Sequence, residues 1–148
     1  MDEIDKKIIK ILQGDGRIQY NEIAKKLNLA NATVHARIIK LMRKGIIDKF
    51  VTHINPKVVG KNITVFLSIS VDHHKDVVGE TLKKLKEMKD VTNVYCVSGD
   101  WDYHLLIYTE DIDSMKKLIT EDIKKYVPNI IRSSAQIVLD SFEKPMEL

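Results

Sequence analysis

A chain of 148 residues with 44% apolar and 30% charged side chains has room for one compact domain or two small ones, and it is globular rather than disordered in composition. No apolar run approaches the roughly 20 residues of a membrane helix, no signal-peptide pattern opens the chain, and a single cysteine excludes an internal disulfide framework and any multi-cysteine metal site. The net charge of +3 is uneven: residues 1–60 carry 12 Lys and Arg against 6 Asp and Glu (+6), and residues 61–148 carry 12 against 15 (−3), which points to a polyanionic partner for the first part alone.

Residues 2–13 are expected to form a first helix. Asp2 is a cap, Asp5 suits the first turn, and Ile4, Ile8, Ile11 and Leu12 line one face. Gly14-Asp15-Gly16 stops it. Residues 21–45, NEIAKKLNLANATVHARIIKLMRKG, then hold two short helical patterns. The first runs through Ile23, Ala24 and Leu27. The second runs through Val34, Ile38 and Leu41, one buried stripe. Asn28-Leu29-Ala30-Asn31 between them is long enough only for a turn, which makes a helix-turn-helix. The opposite face of the second helix carries Asn31, Thr33, His35, Ala36, Lys40 and Arg43, residue types that contact bases and phosphates. Gly45 is placed to end that helix, and Ile46 and Ile47 to tuck beneath the three helices. A solvated face on an unrelated three-helix bundle is the competing reading.

Residues 51–61 form an extended arm, with a turn at Asn55-Pro56 and a hinge at Gly60. Residues 62–71 alternate strictly: Ile63, Val65, Leu67, Ile69 and Val71 face one way, Thr64, Phe66, Ser68 and Ser70 the other. A helix follows over 76–88 with Val78, Leu82, Leu85 and Met88 inward. Strands at 91–98 and 103–109 pair as a hairpin through Gly99-Asp100-Trp101-Asp102. A helix over 111–126 turns Ile112, Met115, Ile119, Ile123 and Tyr126 inward. A last strand spans 130–142, with Ile131, Ala135, Ile137 and Leu139 prominent.

The expected fold class is therefore α+β: a three-helix helix-turn-helix domain over 1–50, the arm, and a ferredoxin-like βαββαβ domain over 62–148. Two helices cover one sheet face. The other, with Thr64, Phe66, Ser68, Tyr95 and Val97, is too apolar for full exposure, so a second copy of the chain is the expected cover.

This order and size of parts resembles the Lrp/AsnC family of feast/famine transcriptional regulators, in its archaeal form, over essentially the whole chain. The matching residues are Asp5-Lys6-Lys7-Ile8, Asp15-Gly16-Arg17-Ile18, Ile23-Ala24-Lys25-Lys26-Leu27, Thr33-Val34 with Arg37-Ile38, and Leu41 with Gly45-Ile46-Ile47. In the second half, Val97-Ser98-Gly99-Asp100-Trp101-Asp102 looks like the family's Val-x-Gly-x-Tyr-Asp turn, with Trp for Tyr. The resemblance implies a DNA-binding helix-turn-helix and a dimerising (RAM-type) second domain, with dimers assembling further, commonly to octamers. It also implies small effectors, usually amino acids, bound between second domains. The family usually has serine before the second helix and before the recognition helix. Here Gln19 and Ala30 stand there; Ala30 cannot cap, whereas Asn31 can.

On these grounds Asn31, Thr33, His35 and Ala36 are expected at the groove floor, with Arg37, Lys40 and Arg43 on the phosphate backbone. Arg37 has an alternative, pairing with Glu22 or Asp48 inside the domain. Effector binding is expected at Ser98, Gly99, Asp100, Trp101 and Asp102 with Ser133 and Ser134. The competing reading is an ordinary hairpin turn whose aspartates are local caps.

His73-His74, adjacent on a strand, point opposite ways and do not suggest a metal site. His104 reads as a partly buried, hydrogen-bonded group and Cys96 as a small core residue; a Cys96–His104 nucleophile pair lacks an orienting third group. Lys83, Lys84, Lys86 and Lys89 read as a solvated helix face. The function expected is a sequence-specific, double-stranded-DNA-binding transcriptional regulator, modulated by an amino acid or related effector, in contact with the transcription machinery. It needs no enzyme activity, cofactor or metal, and resides in the cytoplasm. The alternative is an architectural, chromatin-like protein that wraps DNA with little base readout.

Overall fold

The structure, a computed structural model, describes residues 1–72 and 79–148. The chain divides into two compact units: Met1–His53 with Glu143–Leu148, and Ile54–Phe142.

The first unit is built on three helices. α1 (Glu3–Gly14) opens with a reciprocal cap, in which the Asp5 amide donates to the Asp2 carboxylate (2.8 Å) and the Asp2 amide to the Asp5 carboxylate (3.1 Å). α2 (Tyr20–Leu27) ends at Asn28, whose φ of +53° lets the chain reverse without a glycine. α3 (Asn31–Arg43) starts at once. Ile8 and Leu12 from α1, Ile23 and Ala24 from α2, and Val34 and Ile38 from α3 close the core with Ile18. Gly45, at φ +67°, ends α3: its amide donates to the Met42 carbonyl (2.9 Å) and the Ile46 amide to the Leu41 carbonyl (3.0 Å), the paired bonds of a Schellman stop. Ile47 packs against the core, but Ile46 stays 42% exposed, because the left-handed glycine turns it outward.

In the second unit β1 (Ile63–Val71) lies between β3 (Tyr103–Thr109) and β4 (Ile130–Ile137), with β2 (Val91–Cys96) beyond β3. All pairs are antiparallel and the order is β2-β3-β1-β4. α4 (Glu80–Glu87), α5 (Ile112–Lys117) and α6 (Ile123–Tyr126) complete it. Alternation along β1 sends Val65, Leu67, Ile69 and Val71 into a core shared with Leu85, Leu105, Ile107, Leu118 and Ile123. The order is the ferredoxin-like one.

The elements depart from expectation in four places. The last strand stops at Ile137, not 142: the Val138 amide still bonds to the Thr64 carbonyl (2.9 Å), but β1 begins at Ile63, so the chain beyond has no strand to pair with. Leu139 is 94% exposed, and Ile131, beside the β1/β4 register shift at Ser70/Val71, is 68% exposed. The helix over 111–126 contains a π-turn at Leu118–Asp122. Across it the buried residues are five apart, Leu118 and Ile123, so Ile112 and Tyr126 rotate out to 39% and 43% exposure. Cys96 is exposed on edge strand β2 rather than in the core. Val78, His73 and His74 lie outside the described residues.

Among the described residues no helix is long and apolar enough to cross a membrane. Leu105 is fully buried in the middle of β3. Leu105→Ala should lower unfolding stability by about 2–5 kcal/mol in urea denaturation followed by circular dichroism. A loss below about 1 kcal/mol would mean the sheet core collapses to fill the gap.

Candidate nucleic-acid interface and effector turn

The exposed side of α3 is set by what its other side buries. With Val34, Ile38 and Leu41 inward, Asn31, Thr33, His35, Ala36, Lys40 and Arg43 are all solvent-exposed. The helix-turn-helix thus brings six of the seven expected DNA contacts onto open surface. His35 rests against Tyr20 of α2, ring centroids 5.8 Å apart, and the two border a shallow groove shared with Asn21, Asn31 and Ala32. Tyr20 carried no sequence signal of its own, since it comes from the preceding helix.

Ala30 is the N-cap of α3 and Asn31 its first helical residue, so no side chain caps the helix; the expected Asn31 cap is not made. α2 likewise starts at Gln19 without a side-chain cap. The first-turn amides of both helices therefore face outward with the positive end of the dipole, a ready seat for phosphate oxygens.

Arg37, the seventh residue, is turned away from this surface. Its Nη1 donates to Asp2 Oδ2 and Asp5 Oδ1, both at 2.7 Å, and its side chain is 27% exposed. The internal partners are thus the two cap carboxylates of α1, not Glu22 or Asp48. The acidic first turn that caps α1 also clasps it to α3. The Asp5 amide, then the Arg37 hydrogen bond, holds the Asp2 carboxyl below its ordinary range. Burial opposes ionisation of Asp5, but the hydrogen bonds from Arg37 and from the Asp2 amide outweigh it, and its carboxyl too titrates low.

In the second unit the Gly99–Asp102 turn folds back over the end of β1. Gly99 has φ +117°, which only glycine adopts freely. The Asp102 amide donates to the Ile69 carbonyl (3.0 Å), and the Val71 amide donates to Asp102 Oδ2 (2.8 Å). Asp102 therefore anchors the turn. The Asp100 carbonyl accepts from Ser70 Oγ (3.1 Å) and from the Arg132 guanidinium, which lies 4.4 Å above the Trp101 ring. Ser98, Gly99 and Asp100 are exposed. Ser134 pairs with Ser68 and shares the open sheet face with Arg132 and Ser70, whereas Ser133 pairs with Ile69 and points to the helix side. The two serines are not brought to one site. Ser70 and Arg132 went unnoticed in the sequence because only the β1/β4 register puts them beside the turn. His104 is partly buried with Nδ1 2.8 Å from Ser68 Oγ. Among the described residues no three His, Cys, Asp or Glu side chains cluster as metal ligands.

Comparison with known proteins bears on both units. Residues 1–48 match a family model described as winged helix-turn-helix DNA-binding, and residues 64–148 match the Lrp/AsnC ligand binding domain. The chain belongs to the Lrp/AsnC family. It is 34% identical over 148 residues to the HTH-type transcriptional regulator FL11 of Pyrococcus horikoshii, covering 100% of this chain and 95% of that one. Escherichia coli AsnC superposes with a TM-score of 0.89 at 26% identity, covering 100% of this chain and 99% of that one. A transcriptional regulator from Neisseria meningitidis, solved as an L-Met complex, has the same fold, with a TM-score of 0.91 at 20% identity over 100% and 96% of the two chains. This Lrp/AsnC chain is a helix-turn-helix, DNA-binding transcriptional regulator, and its curated relatives are regulators rather than enzymes.

The clasp gives this family member an acid-sensitive joint. Two carboxyls with lowered pKa contribute stability that is complete above their ordinary range near pH 4, and it is lost as pH falls through the depressed values. Arg37→Met should therefore shift the urea midpoint of the helical unit most near neutral pH. The gap to wild type should narrow below about pH 4. A gap unchanged at acid pH would mean that Arg37 stabilises by packing and not by charge.

Proposed function

We propose that this protein is a sequence-specific regulator that reads palindromic duplex sites as a homodimer, or as a larger assembly up to an octamer, under control of an amino acid. The observation that carries the DNA part is the uncapped, outward-facing α3 with Asn31, Thr33, His35, Ala36, Lys40 and Arg43 exposed on a basic half-chain. In this reading Asn31, Thr33, His35 and Ala36 face base edges, and Lys40 and Arg43 hold phosphates. Arg37 acts from behind, by fixing α3 against α1. Work on DNA places the protein in the cytoplasm and in contact with the transcription machinery.

Dimerisation is assigned to the sheet face away from the helices. Phe66 pairs with Leu106 and His104 with Tyr95 on that face, and Tyr95 is 50% exposed. Such a surface is suited to a second copy. Phe66→Glu should convert the assembly to monomers in sedimentation velocity; an unchanged mass would move the interface elsewhere.

The effector part rests on the family's ligand-binding domain, on the turn at Ser98–Asp102, and on a fold relative solved with L-Met. Selection of bound sequences from random DNA, with and without an amino-acid mixture, tests specificity, palindromy and effector response together. A selected site should outcompete random DNA by at least about 10³-fold at fixed salt; a ratio near one would favour the architectural, DNA-wrapping reading. Lys40→Ala and Arg43→Ala should each lower the slope of log K against log salt by about 0.9 per site. Arg37→Met should weaken binding without lowering that slope.

A further inference from the structure

The open sheet face is not uniform. Its middle is apolar, with Phe66 opposite Leu106, but the end nearest the Gly99–Asp102 turn gathers Ser70, Arg132 and Trp101 around the Asp100 carbonyl. Each member of that group is constrained. Ser70 and Arg132 are opposite one another across the β1/β4 ladder, just before the register shift. The Arg132 side chain is laid flat on the Trp101 ring and tied to one backbone carbonyl, which orients a planar group that otherwise swings freely. A guanidinium has five N–H donors, and beyond the Asp100 carbonyl this one has no partner among the described residues. It is an oriented, exposed cation with an unused donor edge.

The acidic groups of the turn divide into two roles. Asp102 accepts from the Val71 amide, and its own amide is taken by Ile69, so it is part of the frame. Asp100 is exposed, and only its backbone carbonyl is engaged by Ser70 and Arg132. The Trp101 face is already covered by Arg132, so it cannot also cradle a ligand ammonium. One cation and one anion at adjacent points of a turn match a zwitterion.

We infer that Arg132 is the carboxylate receptor of the effector site, with the Asp100 side chain taking the ammonium, so that the ligand class is a free α-amino acid with both termini unblocked. This rests on the effector reading above, and adds to it a residue from β4 and the exclusion of Asp102 as a ligand contact. The guanidinium meets the carboxylate through paired N–H donors, a geometry that lysine cannot reproduce.

The test is calorimetric titration of the full chain with each of the twenty L-amino acids, followed by the α-carboxamide of every one that binds. The carboxamide keeps the ammonium and the side chain and removes only the carboxylate. It should bind at least about tenfold more weakly than the acid. Arg132→Gln should weaken the acid by a similar factor while leaving the carboxamide unchanged. Arg132→Lys should recover part of the loss, and Asp100→Asn should weaken both ligands. Equal affinity of acid and carboxamide, or wild-type affinity in Arg132→Gln, overturns the assignment of Arg132 and leaves the effector reading standing. Absence of binding by any amino acid to the wild-type chain removes the effector reading itself.

Discussion

Burial of Val34, Ile38 and Leu41 is the constraint on which the DNA-reading half depends. Those three side chains fix the rotation of α3 about its own axis. Once they are inward, 3.6-residue geometry leaves no choice about what faces out. Residues 33, 36 and 40 fall on the far side, and residue 37 falls on the border. Arg37 is near enough to the core edge to reach Asp5, whose side chain is 13% exposed, and a charge half out of water there needs a partner. Its engagement with α1 follows from its place on the helix.

A related rule organises the sheet, with a period of two in place of 3.6. β1 supplies Val65, Leu67, Ile69 and Val71 to the core, which commits Thr64, Phe66, Ser68 and Ser70 to the other face. The register shift at Ser70/Val71 marks the end of the regular ladder, and there the Gly99–Asp102 turn is fastened through Ile69 and Val71. Pinning a turn to a central strand gives it a rigid base. The residues it displays are then held by backbone bonds and not by their own flexibility.

Much of this was legible in the sequence, and the limits have physical causes. The 3.6-residue stripes of α1 and α3 and the alternation of β1 announced themselves because each element buries one face only. The stop at Gly45 could be read because a left-handed residue is needed there. The π-turn could not: an extra residue inserted in a helix leaves a plausible stripe in the linear sequence while rotating Ile112 and Tyr126 out of the core. The end of β4 depends on where its neighbour β1 begins, a non-local fact. The same holds for the candidate sites. Residues on one helix or in one turn were found together, whereas Tyr20, Ser70 and Arg132 joined them only through tertiary packing or register. Ser133 and Ser134 were grouped by adjacency, although neighbours in a strand face opposite ways.

The clasp also bears on how a half-chain with six acidic residues still presents a basic face. Asp2 and Asp5 are held by Arg37, Glu3 is paired with Lys6 (2.8 Å), and the Asp15 carboxylate accepts from the Arg17 amide (2.9 Å). Four of the acids are thus engaged on or just after α1. On α3 itself there is none in the first turn, and Lys40 and Arg43 lie in the last. Screening at physiological salt confines each charge to about 8 Å, so local arrangement matters more to an approaching phosphate than the overall charge. A carboxylate already neutralised by a guanidinium repels little. By engaging one arginine from α3 with two acids, the fold gives up a cation on the reading helix. In return it removes two anions from the border of that surface and fixes the helix that carries the rest.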